Sequence, residues 1–99
     1  MDKSMRYRTM KRLLEHLIAH QNTKDPWILV YDSLGSLPSG VGDCITLNSF
    51  DSDQGLLFGI PVVREITAGD AESCNPVFSV RVSRQYLQPM IERLQKMVA

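Results

Sequence analysis

The chain has 99 residues, of which 43% are hydrophobic and 22% are charged, with 11 basic and 11 acidic side chains. This length suits one domain, and the composition is too apolar for a disordered chain. No apolar run approaches the roughly 18 residues that span a membrane, so the sequence predicts a single domain over residues 1–99 with no membrane partner.

The neutral total hides an uneven distribution of charge along the chain. Residues 1–24 carry a net charge of +4, and residues 77–99 carry a net charge of +3. Residues 25–76 contain eight acidic side chains and one basic side chain, a net charge of −7. Basic ends around an acidic middle disfavour a wide polyanion-binding surface. They favour a surface that docks on a second copy of the chain or on another charged protein.

The chain begins with a predicted amphipathic helix over about residues 4–21. Its apolar positions follow the helical repeat: Tyr7, Met10, Leu13, Leu14, Leu17 and Ile18. The helix is expected to stop before Asp25-Pro26, because the residue that precedes a proline is pushed out of helical geometry. A short apolar run over residues 27–31 then predicts a buried strand.

The middle of the chain predicts an alternation of loops and strands. Residues 32–43 contain three glycines and three serines and predict a loop, residues 44–47 predict a short strand, and residues 48–55 predict a turn. The longest β-type stretch, residues 56–66, contains Gly59 and Pro61. Because a proline cannot donate to a ladder, this strand is predicted to lie at a sheet edge or to be broken by a bulge near 59–61.

A further strand and a second helix complete the chain. Residues 77–82 alternate between apolar and polar side chains, which predicts a strand with one solvated face. Ser83 is the predicted cap of the helix, whose apolar positions are Leu87, Met90, Ile91, Leu94, Met97 and Val98. Because Pro89 disrupts a helix interior, we expect a loose first turn from residue 84 and a regular helix to about residue 98.

These elements predict an α+β fold in the order α-β-β-β-β-α. Short connections favour antiparallel neighbours. We therefore expect a two-layer sandwich with the N- and C-terminal helices on one face of a three- or four-stranded, mainly antiparallel sheet. Residues 27–31 and 56–63 are too apolar to face water on the other side, so a dimer is expected to cover that face.

The two histidines, His16 and His20, stand four residues apart, a spacing at which two imidazoles on a helix can share a metal ion. No third ligand stands at a matching spacing. Helical geometry places His16 toward solvent and His20 at the edge of the apolar stripe. We therefore expect two surface histidines and no metal or cofactor.

The two cysteines are expected to be free thiols without a catalytic role. Cys44 begins an apolar segment, as a small core residue would. Cys74 lies beside acidic Glu72, which would raise the pKa of a thiol. The segment before residue 12 is too basic for a signal peptide, which favours a cytosolic location, and a Cys44–Cys74 disulfide is the alternative for an exported protein.

Two loops lack the residues that the functional motifs nearest to them require. The glycine-rich segment 35–42 has no Lys followed by Ser or Thr, which a phosphate-binding Walker loop needs. The acidic segment 51–55 lacks the later ligands of a calcium loop. Both are interpreted as turns.

The candidate contact residues are Arg8, Lys11 and Arg12 of the first helix. Arg8 and Arg12 share a helix face that Lys11 flanks, a geometry suited to phosphates or to a protein partner. Glu15 lies on the same side and is expected to pair with Lys11. No catalytic residue is assigned.

One segment resembles part of a known family. Residues 55–63 read GLLFGIPVV. They resemble the glycine- and proline-marked strand of some bacteriophage head proteins, over nine of 99 residues. The resemblance implies a phage-encoded accessory protein.

The sequence therefore predicts a small non-enzymatic domain that acts through protein contacts, as a homodimer or as an accessory subunit. No set of acid, base, nucleophile or cofactor ligands is present in the sequence. Apolar strands, together with Met90 and Met97, exceed what two helices on one face of a sheet can bury. The alternative is a nucleic-acid-binding accessory protein that uses the basic face of the first helix.

Overall fold

A computed structural model of the chain describes residues 3–33, 35, 37, 39–49, 52–67 and 77–99. Within these residues the chain forms two α-helices and five β-strands. They are α1 (Lys3–Ala19), β1 (Trp27–Asp32), β2 (Ile45–Leu47), β3 (Gln54–Leu57), β4 (Ile60–Thr67), β5 (Val77–Ser83) and α2 (Leu87–Val98). Short 3-10 segments, Ser39–Cys44 and Arg84–Tyr86, precede β2 and α2. The predicted α+β class is confirmed.

The five strands form one antiparallel sheet in the order β1-β5-β4-β3-β2. Strands β2 to β5 are sequential neighbours, and β1 lies beside β5 at one edge. The register shifts by one residue in β1, between Leu29 and Tyr31, so that Leu29 faces Arg81 and Tyr31 faces Val80. Because directly opposed residues point to the same face of a sheet, this shift turns Tyr31 to the same side as Val80.

The sheet has one strand more than the largest number predicted, because a two-residue turn divides the stretch 56–66. Leu57 pairs with Ile60 across this turn. Phe58 and Gly59 have φ values of 54° and 81°. A type I′ hairpin turn requires such left-handed values at both central positions. The predicted single strand was wrong, since a turn stands where a bulge was expected.

Pro61 lies in an interior strand, so the sheet edge that was one of the two predicted alternatives is wrong. β4 runs between β3 and β5. Leu57 and Ile60 close the turn, so the alternation of bonding directions points the nitrogen of Pro61 away from β3 and toward β5. The pairing of β4 with β5 begins only at Val63, opposite Arg81. The missing N–H of the proline therefore removes no ladder bond.

Both helices pack on one face of the sheet, here called the inner face, and this confirms the predicted two-layer sandwich. α1 and α2 also contact each other. The buried side chains come from both layers: Met10, Leu13, Leu14 and Leu17 of α1, Leu87, Met90, Ile91 and Leu94 of α2, and Ile28, Val30, Leu57, Ile60, Val62, Val80 and Val82 of the sheet. Val41 of the first 3-10 segment joins this core, so part of the predicted 32–43 loop is ordered and packed.

The predicted start of the second helix is close to what the structure shows. The 3-10 turn at Arg84–Tyr86 is the loose first turn, and α2 follows from Leu87. Pro89 is the third residue of α2, where the first four N–H groups of a helix have no partner within it, so the proline causes no loss. Ser83 is the N-cap residue of the 3-10 turn, as predicted, but its side chain makes no capping hydrogen bond.

Candidate functional site

Apolar side chains are exposed to solvent on the face of the sheet opposite the helices. Alternation along the strands places Trp27, Leu29, Leu56, Pro61 and Val63 on this side, together with charged and polar residues. Trp27, Leu56 and Val63 are 47%, 44% and 37% exposed. We call this side of the sheet the open face. Apolar side chains grouped on an exposed sheet face are typical of an interaction surface.

A pair of opposite charges lies in the middle of the open face. Nη1 of Arg81 on β5 lies 3.5 Å from Oε2 of Glu65 on β4, and both side chains are about half exposed. Trp27 and Val63 line a shallow depression of about 140 Å³ with these two residues. The open face therefore combines apolar surface at its sides with one cation and one carboxylate at its centre.

At the free edge of β1, a side chain of α1 binds one main-chain oxygen. The main-chain oxygen of Pro26 accepts a hydrogen bond from the N–H of Arg84 at 2.9 Å, at the start of the β1–β5 ladder. Bonding directions alternate along a strand, so Leu29 points its N–H and C=O away from β5. Nε2 of His16 lies 2.8 Å from this oxygen of Leu29 and donates to it. The edge of β1 is thus already occupied at its middle.

His16 and His20 do not form the exposed pair that the sequence predicted. Both side chains are half-buried, and the interpretation of His16 as facing solvent was wrong because α1 lies against β1. Nδ1 of His20 donates to the oxygen of His16 at 2.8 Å, and the two rings lie 4.5 Å apart. Each ring therefore commits one nitrogen to a main-chain oxygen.

Burial lowers the pKa of His16 below its usual value of 6.5. The hydrogen bond to Leu29 opposes this decrease, and the nearby His20 adds to it. A neutral imidazole is therefore favoured at this position. In the part of the chain that the structure describes, no group of three or more His, Cys, Asp or Glu side chains comes together.

Arg8, Lys11 and Arg12, the predicted contact residues, are all exposed on α1. Among the described residues the structure shows no ion pair between Lys11 and Glu15, although the sequence predicted one. Because α1 packs on the inner face, this basic cluster and the open face lie on opposite sides of the molecule. They cannot form one continuous site.

Cys44 is a free, half-buried thiol that packs against the core. Its Sγ lies 3.6 Å from the oxygen of Gly40. This placement agrees with the predicted small core residue. Cys74, the other member of the alternative disulfide, lies outside the described residues, as does Asp51 of the acidic turn.

Comparisons with known proteins found no relative of this chain. No family model, no curated protein and no solved structure matches it. The resemblance of residues 55–63 to bacteriophage head proteins therefore stays a prediction. Among the described residues, neither helix has the length and apolar character needed to cross a membrane.

Sequence reasoning identified the two apolar segments, 27–31 and 56–63, but not which of their side chains lie on the open face. Residues 27–31 are apolar without interruption, so the sequence carries no alternation that assigns Trp27 to one side. The turn at Phe58 and Gly59 also reverses the chain between Leu56 and Val63, which places these two residues on neighbouring strands. The strand register brings Trp27, Leu56 and Val63 to the same face, and this register is not evident from the sequence.

Proposed function

We propose that the chain is a small, non-enzymatic interaction module whose open face docks on the open face of a second copy. The observation that carries this proposal is the exposure of Trp27, Leu56 and Val63 on the side of the sheet that the helices leave uncovered. Large apolar side chains in such positions cost free energy in water, and a partner that covers them recovers about 25 cal/mol per Å² of buried apolar area.

The charges of the open face favour a second copy over a strongly charged partner. Arg81 and Glu65 form a pair of opposite charges on this face, and Asp32, which faces Ser79 near the end of β1, adds one carboxylate at its edge. A two-fold axis that passes between these positions brings Arg81 of one copy toward Glu65 of the other. The same patch is then complementary to itself, in charge as well as in its apolar surroundings.

The size of the open face suggests a weak, reversible dimer. Five strands at a spacing of about 4.8 Å span roughly 24 Å, and the eight residues of β4 span about 26 Å. The product, roughly 600 Å² per copy, is an upper limit because β2 and β3 have only three and four residues, and it lies below the 800 Å² or so per partner of a standard interface. We therefore expect a dissociation constant in the micromolar range.

The edges of the sheet are less suited to this role. His16 covers the middle of the β1 edge through its bond to Leu29. The opposite edge is β2, which has only three residues. Short or covered edge strands are poor templates for strand addition.

We further propose a cytosolic location. Cys44 is a free thiol, which suits a reducing compartment.

Light scattering coupled to size-exclusion chromatography tests the proposed dimer. We expect the wild-type mass to rise from one copy toward two as the concentration increases from low to high micromolar. Leu56→Lys should stay monomeric throughout, since a buried lysine would lack a partner. Ile18→Lys is the matched control, because Ile18 on α1 is 42% exposed and Leu56 is 44% exposed.

Two results would contradict the proposed dimer. One is a wild-type protein that remains monomeric at high micromolar concentration. The other is a dimer that persists in Leu56→Lys and dissociates in Ile18→Lys. Circular dichroism of each variant shows that it is folded, so that loss of the dimer is not confused with unfolding.

Nucleic-acid binding through Arg8, Lys11 and Arg12 is the second candidate function. The exposure of all three side chains on one helix supports it. A mobility-shift assay at low and moderate salt tests it with Arg8 and Arg12 both changed to Glu. Binding of a DNA or RNA probe that is lost in this variant supports the role, and binding that ignores the substitutions rejects it.

A further inference from the structure

A groove of about 330 Å³, here called the helix groove, lies between the start of α1 and the end of α2. A hydrogen bond of 3.1 Å from Gln21 to Gln88 links the opposite ends of the two helices, which therefore run antiparallel. Because the helix groove belongs to the helix layer, docking through the open face leaves it uncovered. Its lining consists of Arg6, Tyr7, Met10 and Met97.

The lining of the helix groove is mainly apolar. Met10 is buried, Met97 is half-buried against the core, and Tyr7 is 46% exposed. Methionine side chains are flexible and polarizable, so they adapt to the shape of an apolar group placed between them. The helix groove therefore suits one large apolar side chain of a partner.

The acidic side chains of the two helices point away from the helix groove. Each residue turns a helix by about 100°, so Arg93 lies about 40° from Met97 around α2, whereas Glu92 lies about 140° from it. On α1, Glu15 lies about 140° from Met10. These are the only acidic residues of α1 and α2. The helices therefore bring no carboxylate to the rim of the groove.

Two arginines, Arg6 and Arg93, border the helix groove from its two helices. Arg6 lines the groove and also a neighbouring depression, which contains Gly59. A Cβ atom on Gly59 would lie 3.7 Å from Nη1 of Arg93, so this guanidinium reaches the same depression. Asp43 lines the depression but not the groove. Among the described residues neither arginine forms an ion pair, so both guanidinium groups are available to a partner.

We infer that the helix groove binds a short acidic segment of another protein. One large apolar side chain of that segment enters the groove, and carboxylates beside it reach Arg6 and Arg93. Among the side chains that the structure describes, the two helices expose six basic and two acidic groups, so the whole layer attracts an acidic partner. The groove and its surroundings thus match both the apolar and the charged part of such a segment.

The arrangement favours a peptide over a nucleic acid. A nucleic acid carries a charge on every phosphate and needs a continuous row of cations. Arg8 and Arg12 lie about 160° from Met10 around α1, so they do not extend the row of cations along the helix groove. The two methionines also offer no hydrogen-bond donor to base edges. A peptide with spaced carboxylates and an apolar side chain uses both features of the groove.

The experiment titrates an end-capped, fluorescein-labelled peptide of sequence EDLFDEL into the wild-type protein at physiological salt. We expect saturable binding with a dissociation constant on the order of 100 µM, because the interface is small. The peptide QNLFNQL, in which amides replace the carboxylates, should bind about tenfold more weakly, and EDGGDEG, which lacks the apolar side chains, should not saturate. In NMR spectra with unlabelled EDLFDEL, the methyl signals of Met10 and Met97 should shift, and that of the core residue Met90 should not.

Charge reversals locate the binding in the helix groove. Arg6→Glu together with Arg93→Glu should weaken EDLFDEL about tenfold. Arg8→Glu together with Arg12→Glu is the matched control, because it changes the net charge equally on the far side of α1, and it should weaken the peptide less than about threefold at a Debye length of about 8 Å. Circular dichroism shows that both double variants are folded.

The inference is overturned if EDLFDEL gives no saturable binding, if the two double variants bind it alike, or if QNLFNQL binds as tightly. It is also overturned if neither the Met10 nor the Met97 methyl signal shifts. Displacement of the peptide by pentathymidylate, a single-stranded DNA of the same charge, would show that the helix groove accepts nucleic acid instead.

Discussion

Nη2 of Arg84 lies 2.8 Å from Oγ1 of Thr23 and donates a hydrogen bond to it. The same guanidinium reaches the main-chain oxygen of His20 at 3.3 Å, and its Nε donates to the oxygen of Asp25. Arg84 opens the turn before α2, whereas its three partners belong to the connection between α1 and β1. One side chain thus ties the start of the second helix to the end of the first.

Replacing Arg84 by Ala should therefore lower the free energy of unfolding by about 1–2 kcal/mol, since three hydrogen bonds from a charged group are lost at a partly solvated site. Urea unfolding followed by circular dichroism measures this difference. Arg93→Ala is the control, and we expect it to change stability by less than about 0.5 kcal/mol. Equal effects of the two substitutions would contradict this assignment to Arg84.

Stability should fall in mildly acidic solution through His16. Its pKa in the folded protein lies below the 6.5 of a free histidine, chiefly because of burial. Between these two pKa values the unfolded chain binds more protons than the folded one, so stability rises with pH in this window. The contribution of His16 is complete above about pH 6.5 and decreases as the pH falls through its folded pKa.

Urea midpoints measured between pH 7.5 and pH 5 test this pH dependence. His16→Gln should flatten it, while His20→Gln should retain most of it because burial of His16, and not the neighbouring charge, is the larger cause. A pH dependence that is unchanged in His16→Gln would show that another group is responsible.

Two glycines of the β2–β3–β4 hairpins should respond to alanine for different reasons. At Gly59 a Cβ would have room, with its nearest neighbour an Arg93 nitrogen at 3.7 Å, so the cost is the left-handed backbone alone, about 1 kcal/mol. At Gly55 a Cβ would lie 2.5 Å from the oxygen of Thr46. Gly55→Ala should therefore cost about 2 kcal/mol or more through the displacement of β2.

Asparagine distinguishes these two causes, because it adopts left-handed conformations more readily than alanine does. Gly59→Asn should recover part of the loss of Gly59→Ala, and Gly55→Asn should be no better than Gly55→Ala. Thermal or urea unfolding of the four variants checks the order. Recovery at both positions would show that backbone conformation alone sets the cost.

Gly42→Ala should displace the ring of Tyr31, since the added Cβ would stand 2.9 Å from Cε2. We expect the Tyr31 aromatic NMR signals to shift. Gly35→Ala serves as control, because no atom lies within 4 Å of a Cβ at that glycine. Unchanged Tyr31 signals in Gly42→Ala would contradict the close packing of the Tyr31 ring on Gly42.

The sequence predicts well what depends on local periodicity. The helical spacing of Leu13, Leu17 and their neighbours predicts α1, and the alternation from Phe78 to Val82 predicts β5. The two helices together with the strands predict the α+β class. The hairpin at Phe58 escaped prediction, because Asn or Asp usually occupies the first left-handed position of such turns. Here Phe58 packs against the core, which offsets the strain of its backbone.

Features that depend on register could not be read from the sequence. The shift in β1 decides that Tyr31 lies on the inner face beside Val80. In the sequence, Arg64 is notable only as the single basic residue of an acidic region. Its side chain lies on the inner face because of the register of β4, the strand that follows the hairpin turn. The same is true of Trp27, whose exposure depends on which side of the sheet the helices cover.

If copies of this chain pair as proposed, the hydrogen bond from His16 to Leu29 would also limit the size of the assembly. Pairing through sheet faces uses one surface per copy and closes at two copies, whereas pairing through strand edges repeats and leads to fibrils. By occupying the middle of the β1 edge, His16 of α1 would hinder strand addition there, while apolar side chains remain exposed on the sheet face. Loss of this one side chain would therefore favour aggregation more than it would alter the fold.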